Sequence, residues 1–196
     1  MMKVVMMHKL VGKYLLKFVE DRASRKAIYK EYIEILKRAK PLETSNPLLS
    51  SYLLAAFFIA MNRVGKLSVE ENYHVLEKGI KTSKLVPMML GNADSYLSEK
   101  KMKQRFEWSK KTHLKEYEND WVVDILTKSD TYDLGYNYYE CGVCKLCKDE
   151  HCFEYAKYLC KLDFLLSSLI GLKLTRTMTL ADEDPYCDFR FKRKDE

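Results

Sequence analysis

Leu172-Lys-Leu-Thr-Arg-Thr-Met-Thr-Leu180, Ala181-Asp-Glu-Asp-Pro185 and Tyr186-Cys-Asp-Phe-Arg-Phe-Lys192 read as strand, turn and partner strand. Alternate residues of a strand share a face, so Leu172, Leu174, Arg176, Met178 and Leu180 line one side. The leucines mark that side as buried, which places a cation, Arg176, on an apolar face. An unpaired buried charge costs several kcal/mol, so a carboxylate of the chain or an anionic ligand has to meet it. On the partner strand Cys187, Phe189 and Phe191 share the apolar side, and Asp188 and Arg190 the other.

Upstream, Gly171 closes a helical region from about Val143 to Ile170, broken near Glu150-His151. Before it, Trp121–Leu126 and the tyrosine-rich Leu134–Glu140 form another hairpin around Ser129-Asp130-Thr131. Two hairpins separated by helices predict an antiparallel sheet of about four strands covered by helices on one face. Residues 1–117 read as helices. Val4, Met7, Leu10, Val11, Tyr14, Leu15 and Phe18 recur at helical spacing. Asp21 caps a second helix, ended by Pro41. Asn46-Pro47 opens a third, Leu48–Val64, apolar on nearly all sides and therefore central. Ser68 and Glu71 make a capping box for a helix to about Lys81. Pro87 begins another, and Ala93–Tyr117 reads as one long helix. The fold class is α+β: one domain over 1–196, helical and mainly so over residues 1–117, then α+β over residues 118–196.

The 196 residues are 47% hydrophobic and 32% charged, which suits a chain with a proper core. The formal charge of +6 permits an anionic ligand without demanding nucleic acid. The basic helix with Lys100, Lys101, Lys103, Arg105, Lys110, Lys111 and Lys115 is diluted by Glu99, Glu107, Glu116 and Glu118, and reads as a solvated face. Lysines interrupt the N-terminal apolar residues, so no secretory leader is expected, and Leu48–Met61 is too short to span a bilayer. These readings predict a cytoplasmic protein with reduced cysteines and no membrane or nucleic-acid partner. A homo-oligomer stays open.

All six cysteines fall between Cys141 and Cys187. Cys141, Cys144, Cys147 and Cys152 resemble the opening of a metal or cluster motif, but the final spacing is wrong for a ferredoxin and a second C-x-x-C is missing. The other reading is a short helix with Cys144 and Cys147 on one face, and the cofactor is left unknown. Cys152, Ala156, Cys160, Asp163 and Ser167 form a stripe of small side chains at helical spacing. There Asp163 can act as general base for the Cys160 thiol or for water. The alternative is buried thiols packing as small hydrophobes beside a structural Asp163–Arg176 pair.

Glu140–Glu154, Cys160-Lys-Leu-Asp163, Leu172–Leu180 with its L-x-R-T-x-T, and Cys187-Asp-Phe-Arg-Phe191 together resemble the L-2-amino-thiazoline-4-carboxylic acid hydrolase family. The specific motifs of the resemblance cover roughly residues 120–193. More distantly, the pattern is similar to the small-molecule-binding domains named for the vinyl reductases of chlorophyll synthesis. One departure is the turn before Cys187, where the family usually carries Gly and this chain has none. The resemblance implies hydrolysis of a cyclic isothiourea bearing a carboxylate to N-carbamoyl-L-cysteine. For that chemistry the expected roles are Asp163 as base, Cys160 and Cys187 as catalytic pocket thiols able to act as nucleophile or proton donor, Glu154 as a second acid or base, and Arg176, as carboxylate clamp, with Thr179 as substrate contacts. The competing functions are a non-catalytic small-molecule-binding or sensor domain and a cysteine-rich metal-binding protein.

Overall fold

The computed structural model describes residues 15–19, 21–83 and 85–194. In chain order these form helices α1 (Arg22–Arg38), α2 (Leu49–Val64), α3 (Val69–Thr82), α4 (Leu85–Leu90), α5 (Ala93–Leu97) and α6 (Glu99–Thr112). Strands β1 (Val122–Leu126) and β2 (Leu134–Glu140) follow, then helices α7 (Gly142–Asp149) and α8 (Tyr155–Leu169). Strands β3 (Leu172–Thr175) and β4 (Cys187–Arg193) flank a 3₁₀ turn, Leu180–Asp182. The helix expected from Val4 lies mostly outside the described residues, although Leu15 and Val19 are buried. No described helix is long and apolar enough to cross a membrane.

The chain divides into two compact units. The first comprises the residues up to Thr82, with Tyr117–Asn119 and Gly142–Leu159. Its starts follow the capping signals. The Asp21 carboxylate accepts the N–H groups of Ala23 and Ser24. Ser68 and Glu71 exchange the two bonds of a capping box, at 2.8 and 3.3 Å. Helix α2 is the centre of this unit: Leu53 and Ala55–Met61 are sealed from solvent. It packs against α1 through Phe57 edge-on to Tyr32, with 5.7 Å between ring centroids. Gly65 caps α2 in an extended conformation, its N–H donating to the Met61 carbonyl, and a Cβ there would stand 2.2 Å from that oxygen.

The second unit comprises Ser83–Glu116, Asp120–Cys141 and Cys160–Glu196. Its sheet is antiparallel in the order β1-β2-β4-β3, so the two hairpins join through β2 and β4. In that register Leu134 faces Phe191, Tyr136 faces Phe189 and Tyr138 faces Cys187. Alternation then gathers Val123, Ile125, Leu134, Tyr136, Leu172, Leu174 and Phe191 into one buried layer, covered by Leu90, Tyr96, Leu97, Met102, Phe106 and Trp108 from α4–α6. This is the expected α+β sheet with helices on one face.

Two expectations are corrected. Ala93–Tyr117 is not one helix, since Ser98 is extended (φ −61°, ψ 146°) and separates α5 from α6. The Tyr96 carbonyl, which would otherwise stay in the helical ladder, accepts Arg105 Nη1 at 2.6 Å, and Arg105 also lies over the Tyr96 ring. Helix α6 stops at Thr112, whose hydroxyl accepts the Val123 N–H at the edge of β1. The strand from Leu172 also ends early, at Thr175. The Asp188 carboxylate accepts the Thr177 and Met178 N–H groups, at 2.8 and 2.6 Å, and the Thr177 hydroxyl. Those donors are thereby withdrawn from the ladder, and residues 176–179 leave the sheet as a loop. Its turn has no Gly, and Glu183 takes the left-handed conformation (φ 67°) instead.

Candidate functional site

The second unit brings together four residues separated in sequence: Cys160 and Asp163 on α8, Arg176 on the loop after β3, and Cys187 opening β4. Arg176 Nη1 donates to Asp163 Oδ2 at 2.9 Å, and Nη2 donates to the Cys160 carbonyl at 3.2 Å. The guanidinium lies over the rings of Phe164 and Phe189, with centroids at 5.1 and 5.0 Å. Only 8% of the Arg176 side chain is exposed, so the cation required to find a partner has found one carboxylate, one carbonyl and two aromatic faces.

Thr179 joins the thiols. The Cys187 thiol donates to its hydroxyl at 3.6 Å, and Cys160 Sγ stands 3.9 Å from the same oxygen. Thr179 is itself held by Asp184, which accepts its N–H at 2.8 Å, and the Leu180 N–H donates to Cys187 Sγ at 3.2 Å. The Asp188 clamp and the 3₁₀ turn thus place Thr179 between α8 and β4.

Burial pushes Asp163 up to about 6, against the opposing charge and hydrogen bond of Arg176. The Asp163 side chain nonetheless keeps 35% of its surface exposed. Burial, and then the Asp163 charge, drive the Cys160 thiol well above its ordinary range. Burial also raises Cys187, outweighing the Leu180 N–H that favours its thiolate. Both thiols therefore keep their protons near neutral pH, while Asp163 is ionised. Two further residues belong here. Tyr138 and Cys141 act electrostatically on this cluster, and burial holds the Tyr138 phenol well above its usual pKa. Tyr138 stands opposite Cys187 in the sheet and its ring meets Phe189 edge-on at 5.2 Å. Alternation along Leu134–Glu140 carried that signal, but only the pairing of β2 with β4 reveals its use.

The remaining candidates lie elsewhere. Glu154 belongs to the first unit, is exposed, and its charge bears on Cys152 and Tyr155. Cys144 and Cys147 are buried on α7, and Cys152 lies between α7 and α8, not on the α8 stripe. Cys141 belongs to the second unit. Among the described residues no three His, Cys, Asp or Glu side chains are grouped to hold a metal ion.

Sequence reading did not single out a second polar cluster, in the first unit. Glu150 accepts Arg38 Nε and Nη2 at 2.8 and 2.6 Å and Arg63 Nη1 at 2.6 Å. Glu31 accepts from both arginines as well. A cavity of about 470 Å³ opens beside it, lined by Arg38, Lys40, Arg63, Leu146, Glu150 and His151 among others. Both guanidinium groups there are already committed to carboxylates.

No curated protein and no solved structure matches the chain. The family model of L-2-amino-thiazoline-4-carboxylic acid hydrolase does, over residues 19–191, which takes in most of both units and every member of the Asp163 cluster. The chain belongs to the L-2-amino-thiazoline-4-carboxylic acid hydrolase family.

Proposed function

We propose that the chain is a small-molecule hydrolase that opens a cyclic isothiourea ring by adding water, with Asp163 as the general base. The observation that carries this is the state of the Asp163 carboxylate, which Arg176 fixes through Oδ2 while 35% of the side chain remains exposed. A base works best with a pKa near the operating pH, and a carboxyl at about 6 is ionised at neutral pH yet basic enough to take a proton from attacking water. Water adds at the ring carbon between nitrogen and sulfur, and its proton passes to Asp163. The C=N electron pair moves onto the ring nitrogen as water adds and re-forms the bond as the carbon–sulfur bond breaks. Protonated Asp163 returns its proton to the departing sulfur, and the remaining O–H proton moves to nitrogen as the isourea becomes the urea. The product, N-carbamoyl-L-cysteine or a relative, carries the added oxygen and a new thiol.

Arg176 is a positioning residue in this scheme. Its donors engage Asp163 and Cys160 and its side chain is nearly enclosed, which suits orienting the base better than clamping a substrate carboxylate. Cys160 and Cys187 serve as protonated wall groups with Thr179 between them, not as thiolate nucleophiles. The test is to incubate the purified chain with L-2-amino-thiazoline-4-carboxylate and follow carbamoyl-cysteine by mass spectrometry across pH. We expect turnover that rises with pH through about 6, and a loss of roughly 10²–10⁴-fold in Asp163→Asn, the usual worth of a general base. No turnover by the wild type, or Asp163→Asn as active as the wild type, would overturn the assignment.

A further inference from the structure

The cysteine run with metal-like spacing contains a pair the hydrolase reading does not use. Helix α7 ends in a Schellman turn, in which the His151 N–H donates to the Lys148 carbonyl at 3.0 Å and the Cys152 N–H to the Cys147 carbonyl at 2.8 Å. His151 occupies the left-handed position, with φ 55°. This turn brings the side chain three residues before the cap against the one two residues after it, a contact that is ordinarily hydrophobic. Here both are cysteines, and the Cys147 thiol acts on Cys152 so as to favour its thiolate. The two sulfurs are thus neighbours because of the backbone motif, not by chance of packing.

We infer that Cys147 and Cys152 form a peroxide-oxidisable dithiol, a modification site that closes to a disulfide across the end of α7. Cys152 is the attacking member. It is the more exposed of the two, at 6% against 0%, and its position favours the thiolate through the Cys147 thiol, with a smaller contribution from the Arg63 charge. The Cys152 thiolate attacks one peroxide oxygen, the O–O bond breaks, and the departing hydroxide takes a proton to become water. The resulting sulfenic acid is attacked by Cys147. The S–S bond forms, the S–O bond breaks, and the hydroxyl leaves with the Cys147 proton as a second water. One peroxide is consumed per disulfide.

The experiment uses the full chain, reduced, then treated with hydrogen peroxide, alkylated with iodoacetamide and digested with trypsin without reductant. Cleavage after Lys145, Lys148 and Lys157 puts the two cysteines on separate peptides, Leu146–Lys148 and Asp149–Lys157. The expected result is one linked species two hydrogens lighter than their sum, with both peptides losing the alkyl label together and dithiothreitol restoring both. Cys147→Ser should divert Cys152 to sulfenic and sulfinic acid. Cys144→Ser should leave the link intact. Linkage of Cys152 to Cys144, or single-site sulfinic acid at Cys152 in the wild-type chain, would overturn the inference. The wild-type measurement decides the matter even if a variant fails to fold.

Discussion

Replacing Glu150 with Gln tests whether the first unit depends on its buried carboxylate. Only 6% of the Glu150 side chain is exposed, and its two oxygens receive three guanidinium N–H groups. Gln keeps one acceptor but turns an NH₂ group towards donors and removes the charge. Removing one partner of a buried ion pair costs about 3–5 kcal/mol. Here Arg38 and Arg63 are 44% and 35% exposed and retain Glu31, so water and the second carboxylate recover some of that. The expected loss is about 2–3 kcal/mol, and at about 2–4 °C per kcal/mol for a chain of this size the melting midpoint falls by roughly 5–10 °C. The pH dependence sharpens the test. Burial pushes the Glu150 pKa up, but hydrogen bonds and charges from Arg38 and Arg63 outweigh it and leave it below the ordinary 4.5. A lowered folded-state pKa gives stability that is complete above the unfolded value and disappears as pH falls through the folded one. The gap between wild type and Glu150→Gln in thermal unfolding followed by circular dichroism should therefore be full at pH 7 and shrink below about 4.5. A gap unchanged from pH 7 to pH 3, or a shift at pH 7 within error, would refute the reasoning.

Asp188→Ala strips the acceptor from the Thr177 and Met178 N–H groups, and should cost about 1–3 kcal/mol in urea unfolding while loosening the loop that carries Thr179. Burial raises the Asp188 pKa but its hydrogen bonds lower it more, so that cost should fade in acid. Glu183→Gly relieves a left-handed side-chain conformation, and should add about 0.5 kcal/mol of stability once the extra freedom of unfolded Gly is deducted, raising the melting midpoint slightly. A fall in the midpoint would show that the Glu183 side chain contributes more than its backbone costs.

Local rules carried the sheet and most helix starts. The strand Leu134–Glu140 could be read to the residue because a tyrosine-rich alternating run was bounded by turn residues, and Asp21, Ser68 and Glu71 cap as their side-chain chemistry dictates. What could not be read were decisions made by distant residues. Nothing local to Arg176 tells that Asp188, farther along the chain, takes the next two N–H groups and ends the strand. Nothing near Ser98 announces that Arg105 will claim the Tyr96 carbonyl. The Asp163–Arg176 meeting was accessible because an enclosed cation must be neutralised and the helix stripe offered one carboxylate. Tyr138 escaped because its place depends on which hairpin strands become neighbours.

The Cys160–Asp163 pair decides between two chemistries that sequence spacing leaves equal. One turn apart on α8, a carboxylate and a thiol compete for the same favourable charge, and Arg176 can stabilise only one of them well. The guanidinium bonds to the carboxylate directly, whereas Cys160 offers it only a backbone carbonyl. Charge therefore settles on Asp163, and the Asp163 charge itself helps keep the Cys160 proton in place. A covalent route through Cys160 would have to start from the minor, high-energy ionisation state, whereas a water route starts from the major one. Cys160→Ser should then keep most of the proposed thiazoline-opening activity and its acid limb near pH 6, since serine preserves a small polar wall group and leaves Asp163 untouched. Asp163→Asn should lower that activity by the same roughly 10²–10⁴-fold while making Cys160 react faster with iodoacetamide, because the charge that helped hold its proton is gone. If instead Cys160→Ser were inactive and a thioimidate adduct appeared on the wild-type chain by mass spectrometry, the thiol would be the nucleophile and Asp163 its base.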